Sequence, residues 1–137
     1  MAPDNVVARS PMAEVEERLG IRPIEELLHS RQVLIEELSP LRARYGPFGT
    51  WDHERKILLA TLAMRARAIS VRENMPKVTE ASLSDLAHAS PEYYDLVTTA
   101  TLERSHLTLL ETMVENIEHE IQRSNAIVRY LSAEARL

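Results

Sequence analysis

Behind Pro91 the chain runs to about Glu134 without another proline or any glycine. A stretch lacking both breakers and rich in Leu, Ala, Glu and Arg has one regular outcome, a single helix of about 60 Å at 1.5 Å per residue. Within it, alternating four- and three-residue steps pick out Leu96, Ala100, Glu103, Leu107, Leu110, Val114, Ile117, Ile121, Ser124, Val128, Leu131 and Ala135. Ten of these twelve positions are apolar, which is a sustained heptad seam. Met113 and Ile127 widen the stripe, as expected for a helix packed in a bundle or an oligomer rather than in a narrow two-stranded coil. Leu107, Leu110, Val114, Ile117, Ile121, Val128 and Leu131 are the candidate oligomer interface.

The rest of the chain reads as shorter helices. Residues 1–9 show no periodicity and are expected to form a flexible tail. Ser10-Pro11 is an N-cap with proline at the first helical position, and Gly20 stops the helix that follows. Pro23 opens a second helix with Ile24, Leu27, Leu28, Leu34, Ile35 and Leu38 on one face, which Ser39-Pro40 is expected to kink or end. The run from Tyr45 to Gly49 is a turn. Thr50 or Asp52 caps a third helix over 51–72, with Trp51, Leu58, Leu62 and Ile69 as its apolar stripe. Thr79 caps a short helix over 79–89, with Val78 and Leu83 as a hydrophobic staple. Ser90-Pro91 repeats the start signal for the long helix over 91–135. The expected fold is all-α, a helical bundle with a long C-terminal helix, oligomeric, as a single helical domain over 10–137 that includes N-terminal helices over 10–45.

Composition narrows the chemistry. With no cysteine, disulfides, thiolate catalysis and sulfur-ligated zinc are excluded, in keeping with a reducing cytoplasm. No apolar run reaches the roughly 18 residues of a membrane span, and the N-terminus lacks a signal pattern, so a cytoplasmic protein is expected. The three glycines, Gly20, Gly46 and Gly49, form no phosphate loop, and nothing resembles a nucleophile turn. The acid-x-x-His pairs Glu26/His29, Asp85/His88 and Glu103/His106 have the spacing used in di-metal bundles, but only Glu103 falls on a core seam. Surface positions are the better reading; neither an enzyme nor a bound metal or cofactor is expected.

The charge is unevenly placed. Residues 51–77 carry Arg55, Lys56, Arg65, Arg67, Arg72 and Lys77 against three acids, whereas residues 78–137 carry four basic against ten acidic side chains. A net charge of −5 does not exclude a polyanion, because screening confines each patch to about 8 Å at physiological salt. These six cations are the candidate nucleic-acid site. The competing reading is a solvated face or ion pairing with the chain's own acids. Trp51 beside the turn is read as core in preference to a base-stacking platform.

The segment Glu54-Arg-Lys56 through Met64-Arg-Ala-Arg67, then a break, then acidic helical segments ending in a long helix, resembles the UvsY-like phage recombination-mediator proteins. Lys77 to Glu80, Ser90 to Tyr93, and Arg123 and Arg129 add to the resemblance, which covers residues 50–137. It implies a single-stranded DNA-binding protein that loads a recombinase onto DNA coated by a single-strand-binding protein, acting as a homo-oligomer in the cytoplasm of the host, with Arg65 and Arg67 as the basic-Ala-basic element. The helices before Leu38 have no counterpart, and the aromatics expected after that element are replaced by Ala68, Ile69 and Ser70. The alternative is a helical structural or adaptor protein of a phage or bacterial assembly with no nucleic-acid role.

Overall fold

The computed structural model describes residues 10–75 and 78–136, so the expected tail over 1–9 and the candidate Lys77 lie outside the described residues. The fold is all-α, a helical bundle with a long C-terminal helix, and the described residues contain no strand. In chain order the helices are α1 (Pro11–Leu19), α2 (Ile24–Tyr45), α3 (Trp51–Arg72), α4 (Glu80–His88) and α5 (Pro91–Ala135). No described helix is long and apolar enough to cross a membrane.

The boundaries follow local chemistry. Ser10 Oγ accepts from the Ala13 N–H at 3.2 Å, satisfying an amide that the first turn leaves free. Gly20 closes α1 at φ 65°, and the Ile21 N–H donates to the Glu16 carbonyl at 2.8 Å, a left-handed termination that suits glycine. Thr79 caps α4 through a 3.2 Å bond from the Ser82 N–H. Between α2 and α3 the chain turns too tightly for side chains: a Cβ on Gly46 would lie 2.5 Å from the Arg42 carbonyl oxygen, and one on Gly49 would lie 2.3 Å from that of Arg44.

Three local expectations are narrowed or corrected. Of the two outcomes expected at Pro40, a kink or an end, the end does not occur: α2 continues to Tyr45, with Leu38 1% exposed and Leu41 half-buried on either side of the proline. Leu28 lies outside the inward face, 49% exposed. That face follows Ile24, Leu27, Arg31, Leu34, Leu38, Leu41 and Tyr45, all buried or half-buried at three- and four-residue steps. Thr50 occupies the N-cap position of α3, but its backbone is already helical and its side chain makes no capping bond.

The chain gathers into two units. The first comprises residues up to Glu37 and from Leu110 onward, so it is built from α1, the first part of α2 and the last part of α5. Leu27, Leu34, Leu110, Ile117 and Ser124 are its buried residues. Ion pairs from Arg31 of α2 to Glu118 at 3.2 Å and from Arg22, just ahead of α2, to Glu120 at 3.1 Å link these segments to α5, with both side chains of each pair part-exposed. The second unit spans Leu38–Leu109. Its core is Leu38, Trp51, Leu62, Leu83, Ala87, Ala100 and Leu107.

Candidate nucleic-acid interface

α3 lies in the second unit and is apolar on two opposite faces. Trp51, Leu58, Leu62, Ala66 and Ser70 are buried or half-buried. Ile69, assigned from sequence to this stripe, is exposed at 38% although it lies only about 20° from Leu62 around the helix; the covered face turns instead by four-residue steps from Leu62 to the half-buried Ala66 and Ser70, about 80° round. The opposite face presents Ile57, Met64 and Val71, exposed at 52%, 71% and 72%.

Lys56, Arg65, Arg67 and Arg72 flank these faces, whereas Arg55, one turn after Trp51, falls on the inner one and is half-buried. Arg55 and Lys56 share Asp52, at 2.6 and 2.9 Å. The Arg55 and then the Lys56 hydrogen bond hold the Asp52 carboxyl down at about 2. Arg65 reaches α5 and pairs with Glu92 at 2.7 Å, whereas Arg67 reaches α4 and pairs with Glu80. Their divergence follows from two residues' rotation, about 200° at 100° per residue. Arg72 is exposed and makes no ion pair among the described residues. Every one of these pairs is solvent-exposed on at least one side, and exposed pairs are worth about 0–1 kcal/mol.

Charge differs between the units. Residues 38–109 hold nine Lys/Arg and eight Asp/Glu, whereas the remainder holds seven and thirteen. The second unit is therefore +1 and the first −6 at neutral pH.

Behind α3 stands a cluster that sequence reasoning missed. Arg44, half-buried at the end of α2, bonds Glu54 at 2.8 Å and Glu103 at 3.2 Å. The Tyr45 hydroxyl donates to Glu103 at 2.6 Å. The Tyr45 and Trp51 rings meet at 5.7 Å, and the guanidinium groups of Arg44 and Arg104 each lie within 6 Å of both rings. Burial, followed by the bond to Glu103, pushes the Tyr45 phenol up to about 12. Trp51 is 8% exposed, a packed residue rather than a platform for bases.

The acid-x-x-His pairs are drawn into other contacts where their bonds are resolved. Glu103 belongs to the cluster above, and His88 Nδ1 sits 2.7 Å from the Ser84 carbonyl with its ring edge-on to Tyr93. Among the described residues no three His, Cys, Asp or Glu side chains are grouped as metal ligands.

Of the seven positions assigned to an oligomer interface, the chain itself buries Leu107, Leu110 and Ile117 and half-buries Val114, Ile121 and Leu131. Val128 is 44% exposed, as Ile127 turns inward beside it; an ideal helix drifts about 20° per heptad against a 3.5-residue repeat.

No family model, curated protein or solved structure matches the chain.

Proposed function

We propose that the protein binds single-stranded DNA through the basic flanks of α3 and serves as a phage-type recombination mediator that helps load a recombinase onto coated DNA. The observation that carries this reading is the state of Arg65, Arg67 and Arg72. Two are held only by exposed carboxylates and the third has no acidic partner among the described residues. A phosphate can take the place of Glu92 or Glu80 at small cost, since neither pair is desolvated. Phosphate contacts are sequence-independent, which suits a protein that must act on any strand. Recombinase and single-strand-binding protein enter as partners from the family resemblance alone.

Fluorescence anisotropy with a labelled oligo-dT strand tests it. The wild-type protein is expected to bind at 50 mM salt and weaken steeply toward 200 mM. Arg65→Ala, Arg67→Ala, Arg72→Ala is expected to lose most of that affinity and flatten the salt slope by about two to three, with helicity unchanged. Equal slopes for the two proteins would remove α3 as the DNA site.

A second reading, a helical adaptor with no nucleic-acid role, is favoured by the exposed Ile57, Met64 and Val71. Wild-type protein that binds no strand at low salt would leave that reading standing.

A further inference from the structure

The turn between α2 and α3 carries Phe48 with its side chain 102% exposed, against 72% for the next most exposed large apolar residue among those described, Val71. The turn holds the ring out on a fixed backbone. The Gly46 N–H donates to the Arg42 carbonyl at 2.7 Å and the Gly49 N–H to the Gly46 carbonyl at 2.8 Å, while Pro47 sits at the second position of the turn, where its locked φ is favoured. Both glycines lie close against carbonyls of the last turn of α2. A side chain on such a frame gives up little conformational freedom when a ligand covers it.

The surroundings select that ligand. Between Arg42 and Lys56, Phe48 is the one large apolar side chain left exposed, since Trp51 is buried and Tyr45 half-buried. An anchor for a pocket on another protein is ringed by further contacts that exclude water, and this tip has no other large apolar side chain to supply them. Its neighbours are charged. Residues 38–56 together with Glu103 and Arg104 of α5 set five cations, Arg42, Arg44, Arg55, Lys56 and Arg104, against three acids, Asp52, Glu54 and Glu103, a net +2. Arg44 is taken by Glu54 and Glu103, and Arg55 and Lys56 share Asp52. Arg104 is exposed over the Tyr45 and Trp51 rings, with no acidic partner among the described residues. An open aromatic ring beside uncompensated positive charge suits a ligand that has both π faces and phosphates, which is a single nucleic-acid strand.

We infer that the Phe48 ring stacks on a base of the strand that α3 engages, at the end of the helix that carries Arg55 and Lys56. The inference rests on the DNA reading of α3 and adds a contact of a different kind. Phosphate contacts govern the salt dependence, whereas a stacked ring adds affinity without charge and accepts any base.

Anisotropy with a labelled oligo-dT strand and with an abasic strand of the same length, which keeps the phosphates and lacks the bases, tests it. The wild-type protein is expected to prefer oligo-dT. Phe48→Ala is expected to lose at least about fivefold in affinity for oligo-dT with an unchanged salt slope, and to bind the abasic strand as the wild type does. Phe48→Trp is expected to keep the affinity, and its emission to be quenched by oligo-dT and not by the abasic strand, beyond any response of the buried Trp51 in the wild type. Helicity is expected to be unchanged in both variants, since the substituted side chain is fully exposed. Wild-type protein that binds neither strand removes the DNA reading and this contact with it. Wild-type protein that binds through the α3 arginines, with Phe48→Ala equal to it on oligo-dT or weakened equally on both strands, overturns the stacking contact alone.

Discussion

Tyr45 is placed where a single proton reports on the second unit. Its hydroxyl is a donor to Glu103 and its ring lies between two guanidinium groups and Trp51. Because the folded state raises the phenol from 10 to about 12, it favours the protonated form. That stabilisation is whole below pH 10 and is lost as pH climbs through about 12. A difference titration at 295 nm, wild type minus Tyr45→Phe, is expected to show one phenol ionising well above pH 10. The substitution itself is expected to cost about 1 kcal/mol through the lost bond. A difference step centred at pH 10 would mean that neither the burial of the ring nor the Glu103 contact persists in solution. None of this was legible beforehand. Tyr45 and Glu103 are far apart in sequence, and local pattern does not report which side chains a tertiary contact joins. The one available hint was a glutamate, Glu103, on a largely apolar seam of α5.

Among the helices, legibility tracked how single-minded each apolar pattern was. The α5 seam emerged almost position for position, because one dominant stripe at heptad spacing leaves little freedom for the face. α3 defeated the same procedure at Ile69. Its inner face ends in the small Ala66 and Ser70, which carry little weight in a hydrophobic tally, while its large apolar residues also populate the outer face. The α5 stripe can be tested by a neighbouring pair. Ile117 is 6% exposed, so Ile117→Asp buries an unpaired carboxylate and is expected to cost roughly 3 kcal/mol or more. Glu118 pairs with Arg31 through side chains 46% and 41% exposed, and Glu118→Ala is expected to change stability by under about 1 kcal/mol. Thermal denaturation of the two variants side by side decides it: equal midpoints would put the wrong face of α5 inward. The basic flank of α3 was legible as a set of residues. Its partners were not, because Glu80 and Glu92 come from two other helices and only the fold brings them to Arg67 and Arg65.

At the scale of the whole molecule, the division of the sequence between the units sets an order of events in time. The first unit joins the two ends of the chain, and all of residues 38–109 intervene between its halves. Closing so long a loop in an unstructured chain carries an entropic cost that shrinks once the intervening residues are compact. The second unit draws on one contiguous stretch, with α3 packed against the adjacent α4, so its contacts are short in sequence and form sooner. Pulse-labelled hydrogen exchange during refolding is expected to protect the amides of α3 and α4 before those of α1 and the first part of α2. Simultaneous protection would make the chain one kinetic block. With the expected order, a nascent chain would hold the unit that carries α3 folded while the acidic unit still waited for the residues from Leu110 onward to be made.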